Sequence, residues 1–518
     1  MSIFERPIYG KESSMTSGEK AKSVFHPTIN MVQVKRATSI PKQIPGINEI
    51  VICQRKGIAV CLRKAIMTDH ISITYSTDNP AYYIKIYTKD ALQIDLIQNK
   101  VSRMLEAKVC IPGVCWPLDT ICNRDGAFVG ILVPSSRGIQ LTKSIYNGSA
   151  GLSQFFPYWN KQDLCQVTLT ILEIIRKMHN IGVMFGCINP ASIYIVNPKE
   201  VYFVDTDCWQ IEGFPSFSRN QTFTPPEMLR SNQQRFLYTL DQENYQIALL
   251  VFMLMLPGKF PYAKWKSVEN RDSIVDMAFP FSVGGGMRRS RDAEHPSGVW
   301  RIVWDHLSYK MCEAFYNTFH ANGINAKEGC RLKVEDWIRI TSEYNRRLSA
   351  PSCQDSLELF PKTFRRDKKR TFVRCQICGQ EHPDFYFLRN VTIAKTKVDV
   401  WEKGYRICIP CANDQSDMSF VCQCCNRQFF YTNRSKIIHA IGESDFDFKR
   451  QKWCKSCKKQ TFKCVRCGKE VPIFQIREFQ DKKRNMQINV CQSCFKELIE
   501  EVKKERNQRS ARRSRYFF

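Results

Sequence analysis

Hydrophobic patterning divides the chain into three stretches. From Met1 to Pro45, Ser, Lys, Pro and Gly mix without periodicity, which predicts a largely disordered segment over 1–45. Near Ile47 the pattern becomes regular. Glu49–Cys53, Ala81–Tyr87, Phe128–Val133 and Val201–Val204 read as strands, and Lys161–Asn180 carries the 3.6-residue period of a helix. This mixture continues to Leu348 and predicts an α+β domain over 46–350. The longest apolar run, Ile247–Leu256, is too short to span a bilayer, and Met1–Pro45 lacks the apolar core of a secretory signal. The expectation is a soluble, cytoplasmic protein with no membrane contact.

Beyond residue 350 the regular feature is cysteine. A basic linker over 351–371 holds Arg365, Arg366, Lys368, Lys369 and Arg370. Six Cys-x-x-Cys pairs then form three sets: Cys375/Cys378 with Cys408/Cys411, Cys422/Cys425 with Cys454/Cys457, and Cys464/Cys467 with Cys491/Cys494. Two residues between paired thiolates let one tight turn present both to a tetrahedral ion, and a second pair closes the site. The spacing therefore predicts about three structural zinc ions, in modules over 372–415, 416–460 and 461–500. In a reducing compartment, zinc explains such pairs better than disulfides do. Cys424 lies inside the third pair and could compete as a ligand, but the 422/425 spacing matches the other pairs.

The sets repeat one plan: a first pair, aromatic or β-branched residues, then a second pair. In the last set Cys491 and Cys494 run into the helix-forming stretch Phe495–Asn507, followed by a basic tail over 501–518. A knuckle, a hairpin and a helix carrying the final ligands make a treble clef, with a zinc ribbon as the alternative. The middle unit, Phe420–Lys458, resembles bacterial treble-clef zinc domains.

Charge follows this division. The net charge is +27, and from Pro361 to Phe518 there are 36 Lys and Arg against 17 Asp and Glu. Each four-thiolate zinc site would contribute about −2, leaving an excess that suits a polyanion. Candidate contacts are Arg427, Arg434, Lys436, Lys449 to Lys452, Lys482 to Arg484 and Arg506 to Arg515. Phe429, Phe430, Tyr431 and Trp453 lie among them, either as stacking surfaces or as small cores. A nucleic acid or a partner protein fits this region.

The central domain carries a second constellation, in an order that resembles protein kinases. Ala81-Tyr-Tyr-Ile-Lys85-Ile looks like the strand whose lysine grips nucleotide phosphates, and Glu200-Val-Tyr-Phe-Val-Asp205 like the strand that delivers a metal-binding aspartate. Thr224-Pro-Pro-Glu227 is similar to the Ala-Pro-Glu motif. The stretch from Glu243 looks like the buried helix under the catalytic loop, and Arg331 is placed to pair with Glu227. More narrowly, Asp205-Thr-Asp207-Cys-Trp-Gln210 is similar to the Asp-x-Asp-Ser-Phe-Gln segment of a divergent set of bacterial protein-kinase-like proteins. Trp116-Pro-Leu-Asp119 and Phe128–Pro134 also match that set. The resemblance implies a two-lobed kinase-like domain with ATP and magnesium as cofactors.

It also implies damage. Where kinases carry His-Arg-Asp and, five residues later, Asn, this chain has Phe185-Gly186-Cys187 and Ser192. A thiol replaces the catalytic carboxylate and a hydroxyl replaces an amide metal ligand. The helix expected to supply the partner of Lys85, Leu92–Glu106, offers Gln98 or Asn99, with Asp95 as a substitute. The phosphate-covering loop is read at Gln54-Arg-Lys-Gly57, with a single glycine. Lys85, Asp205 and Asp207 remain, with Cys187 either a reactive thiol or a small buried hydrophobe. One expectation is a catalytically impaired pseudokinase. The alternative is an active atypical serine/threonine kinase that uses another base, such as Asp207, and recruits substrates through its zinc domains.

Overall fold

Short β-branched runs build the first layer of the structure. The structure is a computed structural model that describes residues 24–28, 30–32, 44–69, 71–88, 94–217, 220–230, 237–263, 271–283, 299–366, 370–393, 395–441, 453–454, 456–481 and 486–514. The chain divides into two compact units, Met1–Asp367 and Lys368–Phe518.

In the first unit, β1 (Ile50–Cys53), β2 (Ile58–Cys61), β3 (Ala65–Thr68), β4 (Ser72–Ser76), β5 (Tyr82–Tyr87), β6 (Asp119–Cys122) and β7 (Phe128–Pro134) form one antiparallel sheet in the order β2-β1-β6-β7-β5-β4-β3. Alternation puts Val51, Cys53, Ile84, Ile86 and Ile121 into its core. Helix α1 (Ile94–Ala107) packs Ile97, Val101 and Leu105 against Tyr87, Phe128 and Ile131. Strands β2 to β4, too short and mixed to stand out by periodicity, were not among the expected segments.

The remainder of this unit is mostly helical. Strands β8 (Ile139–Gln140), β10 (Ile193–Asn197) and β11 (Glu200–Phe203) form a small sheet, and β9 (Val183–Met184) pairs with β12 (Gln210–Ile211). The helices are α2 (Gly148–Phe155), α3 (Lys161–Asn180), α4 (Pro226–Arg230), α5 (Leu240–Met255), α6 (Arg271–Val275), α7 (Trp300–Asp305), α8 (Tyr309–Phe319) and α9 (Val334–Leu348). The periodicity of Lys161–Asn180 gave α3 to the residue, and Asn160 and Asp163 close its N-terminus as a capping box. Helix α5 is apolar around its circumference and is accordingly buried from Glu243 to Met255. Arg331 clamps Glu227 with two hydrogen bonds of 2.9 and 2.7 Å, the pairing expected from sequence.

Two expectations about the ends of this unit change. Within the expected disordered segment, residues 24–28 and 30–32 are docked: Phe25 is fully buried against Trp116, and its N–H bonds Ile181 O at 2.8 Å. One large aromatic ring supplies the burial that composition alone did not reveal. Residues 1–23, 29 and 33–43 lie outside the described residues. Residues 351–366, read as linker, also pack: Phe364 is buried, and the Asp355 side chain is enclosed between Arg347 and Arg365.

The second unit is built from hairpins. Phe372–Arg374 with Glu381–Pro383, Gln415–Val421 with Gln428–Thr432, and Thr461–Lys463 with Glu470–Pro472 each carry a first cysteine pair in the turn. Asn390–Ile393 with Thr396–Asp399, and Ile476–Asp481 with Met486–Cys491, are second hairpins in the first and third repeats. Each is followed by a helix, Ile409–Asn413 and Gln492–Ser514, the latter running through the boundary expected near 500. The middle repeat differs from the expectation. Its helix, Asn433–Ala440, precedes the second pair, and a 3-10 turn, Cys457–Lys459, follows it. No helix among the described residues is long and apolar enough to cross a membrane.

Candidate functional sites

Lys85 sits in the middle of β5, with β4 on one side and β7 on the other, and its side chain is buried. After β11 the chain turns sharply at Asp205, whose φ of 56° is left-handed. The next hydroxyl, Thr206, donates to Cys115 O at 2.9 Å and fixes the turn. Asp205 and Asp207 then converge on one ammonium, with Lys85 Nζ 2.9 Å from Asp205 Oδ1 and 3.0 Å from Asp207 Oδ1. Ser192 donates to the second oxygen of Asp205 at 2.9 Å, and Tyr87 donates to the second oxygen of Asp207 at 2.9 Å. Burial opposes the charge on Lys85, but the two carboxylates outweigh it and hold its pKa well above the ordinary lysine value. Burial likewise opposes ionisation of Asp205, yet Lys85 and the Ser192 hydroxyl keep its carboxyl below the usual range.

Two hollows open on this cluster. One of about 220 Å³ is lined by Ile66, Tyr83, Lys85, Val133, Tyr194 and Asp205. The other, about 160 Å³, is lined by Asp69, Cys187, Asn189, Ser192, Asp205 and Phe217. Cys187 is almost wholly buried. Its loop is set by helix α5: buried Glu243 accepts from Gly186 N at 2.8 Å and contacts His179 Nε2 at 2.8 Å, while Gln246 bonds both Gly186 O and Ile188 N. Gly186 has φ 70°, and a Cβ there would lie 2.4 Å from Ser216 Cβ, so only glycine lets the 214–217 stretch pass.

Two sequence readings are corrected. Gln54–Gly57 is the β1–β2 turn, on the side of the sheet away from β5; its Arg55 and Lys56 N–H groups bind Asp119. The turn beside the cluster is instead that between β3 and β4, where Asp69 accepts from Ile71 N and Ser72 N at 2.8 and 2.7 Å. On α1, Gln98 is exposed and Asn99 bonds Asp95 O. The residue facing inward is Lys100, fully buried, donating to Pro215 O at 3.1 Å and lying over the Phe217 ring. Burial lowers its pKa to about 8.

Tyr87, Lys100, Asp69 and the Glu243–His179 pair were missed as functional positions. Tyr87 was legible as the same-face neighbour of Lys85 at i+2, and Lys100 as part of the inward stripe with Ile97, Val101 and Met104. Asp69 gave no signal because the strands flanking it were not recognised.

In the second unit the twelve cysteines form three groups of four, each with its sulfurs within 4.8 Å of one another. They can hold zinc. Tetrahedral bonds of about 2.3 Å put sulfurs about 3.8 Å apart. The Cys378–Cys408 and Cys467–Cys491 separations are both 3.9 Å. One hydrogen bond recurs in all three groups: the third cysteine's N–H donates to the first cysteine's sulfur, Cys408 to Cys375 at 3.3 Å, and Cys454 to Cys422 and Cys491 to Cys464 at 3.2 Å. Burial would raise the Cys375 thiol, but N–H groups of Cys408, Cys378 and Ile377 bring it down to about 7. Cys424 is not one of the four, yet it borders them: it is exposed, its sulfur lies 3.6 Å from Gln460 Oε1, its side chain reaches Cys457 and its N–H serves the Cys422 sulfur. Among the interleaved aromatics, Phe429 and Tyr431 stack with Phe420, whereas Phe430 is 46% exposed. Residues 449–452 and 482–484 lie outside the described residues.

Comparison with known proteins points to one class, the protein kinases, and no family model matches the chain. The chain is similar to Protein kinase YegI of Escherichia coli O157:H7 and to Protein kinase YegI of Escherichia coli strain K12, each 27% identical over 156 residues. That stretch is 29% of this chain and 24% of each relative, so the chain spans about a quarter of the length of the curated relatives it matches.

Elemental analysis of the purified chain should find about three zinc ions, and Cys408→Ser should lower this to about two; a folded, zinc-free second unit would refute the assignment. Lys100 gives a pH prediction. Its folded pKa of about 8 lies below the ordinary lysine value, so between them the unfolded chain binds the extra proton and stability rises with pH. Wild-type stability relative to Lys100→Met should therefore increase by a few kcal/mol from pH 8 to about 10.5 in urea unfolding. A pH-independent difference would contradict burial of the charge.

Proposed function

We propose that residues 46–350 are a two-lobed protein-kinase-like domain that binds ATP and is impaired in phosphoryl transfer, a pseudokinase working in the cytoplasm. The observation that carries this reading is the pairing of an intact Lys85–Asp205 contact with a buried thiol, Cys187, at the position expected of the base. In the reading, Lys85 meets the phosphates, and the apolar hollow beside Val133 and Ile66 takes the base of the nucleotide. Asp205 and Ser192 offer adjacent oxygens that fit one magnesium shared with phosphate. Magnesium, when bound, neutralises phosphate charge. Asp207, 3% exposed and tied to Tyr87 and Lys85, is poorly placed to take a substrate proton.

The zinc modules, of treble-clef or zinc-ribbon type, then serve as a rigid basic platform for nucleic acid. The charge excess and exposed Phe430 support nucleic acid over a partner protein. An active atypical serine/threonine kinase is the second reading, favoured by survival of the Lys85–Asp205 contact, because positioning and electrostatics carry much of phosphoryl transfer.

Transfer of labelled γ-phosphate from ATP tests the first part. Loss of the base should leave turnover about 10²–10⁴-fold below that of an ordinary kinase. Robust transfer abolished by both Lys85→Ala and Asp205→Ala would establish the active-kinase reading. For the second part, affinity of the full chain for single-stranded DNA or RNA should fall steeply between about 50 and 200 mM salt. Absence of binding would leave a protein partner.

A further inference from the structure

Lys85 has no acidic partner on α1, the helix expected to supply one; the inward position there is Lys100. We propose that Asp207 takes over this duty: it is the positioning residue that aims Lys85 at a nucleotide, while Asp205 alone faces the ligand. The inference rests on the reading of the cleft as a nucleotide site.

Three observations assign the roles. Asp205 keeps 19% exposure and lines both hollows, whereas Asp207 is 3% exposed and borders only one. Both aspartates have both oxygens engaged, but the second oxygen of Asp205 is held by Ser192, which lines the smaller hollow, whereas that of Asp207 is held at 2.9 Å by Tyr87, which is buried and lines neither hollow. Tyr87 stands two residues from Lys85 on the same strand face, so strand β5 holds both the lysine and the hydroxyl that fixes its partner. A carboxylate whose second oxygen is held by such a buried partner is suited to orient a cation and unsuited to exchange ligands.

Lys100 completes the rearrangement. Its ammonium donates to Pro215 O and lies 4.4 Å from the Phe217 ring centroid, so α1 secures the segment that follows Asp207 rather than the lysine. The lysine–carboxylate pair is thereby confined to β5 and the Asp205–Asp207 turn. Helix α1 thus supplies no carboxylate to the pair and bears on it through the segment that Lys100 holds.

The test is binding of magnesium ATP to the full chain by calorimetry. Asp207→Asn should weaken binding about tenfold or more, the effect of leaving a buried cation with one carboxylate. Asp207→Glu, which keeps the carboxylate, should hold affinity to within about threefold of wild type. Wild-type affinity in Asp207→Asn would overturn the proposal, as would an equal loss in Asp207→Glu. If Asp207→Asn fails to fold, Tyr87→Phe serves instead, with an expected loss of about threefold for one hydrogen bond and no loss as the overturning result. Failure of the wild-type chain to bind magnesium ATP would instead defeat the nucleotide reading, and this inference with it.

Discussion

A buried ammonium held between two carboxylates is the interaction around which the first unit is organised. Removing these three charges from water is unfavourable, and they persist only because each carboxylate oxygen has a partner, with Ser192 and Tyr87 supplying the two that Lys85 cannot. The demand fixes backbone as well as side chains. Asp205 adopts a left-handed conformation, Thr206 ties the turn to Cys115, and β5 is held on both sides by the sheet. Sheet and helical regions are thus joined through charge, at the place where two hollows open.

The second unit solves a different problem. Its repeats are too small to bury a large core: Val391, Ile393, Val400, Ile407 and Ile437 form one aliphatic cluster, and the clusters at the second and third cysteine groups are largely cysteine and a few rings such as Phe420, Phe429, Phe462 and Phe479. Four-thiolate sites replace the missing core. The same backbone bond from the third cysteine to the first sulfur in each repeat prepares the thiolates for a cation, irrespective of whether a helix follows. The sites are closed, with every ligand position filled by cysteine, so any chemistry would have to come from the first unit.

What was legible in the sequence followed the strength of the local pattern. Helix α3 was readable to its ends because twenty residues of periodicity lie behind a capping box, and the twelve cysteines were readable because spacing alone defines a tetrahedral site. Lys85, Asp205, Asp207 and Ser192 could be singled out, but not the way they meet, since that depends on pairing between strands distant in the chain. The covering turn was expected at Gln54–Gly57 because that stretch carries a glycine, which the β3–β4 turn at Asp69 lacks. Strands β3 and β4, flanking the turn that occupies the expected place, were too short to be seen. Docking of Phe25 was illegible for a related reason: a single ring among polar residues carries no period.

The glycine at 186 places the loop before Cys187 under a constraint set from outside it. Any side chain at 186 would drive its Cβ into Ser216, and the 214–217 stretch is itself held by Lys100 through Pro215 O. Room for a larger residue at 186 would therefore have to be made at the Pro215 contact of helix α1, far along the chain from the loop it serves. Substitutions at 186 and at 100 are thereby coupled, and the loop is locked by its neighbours more than by its own residues.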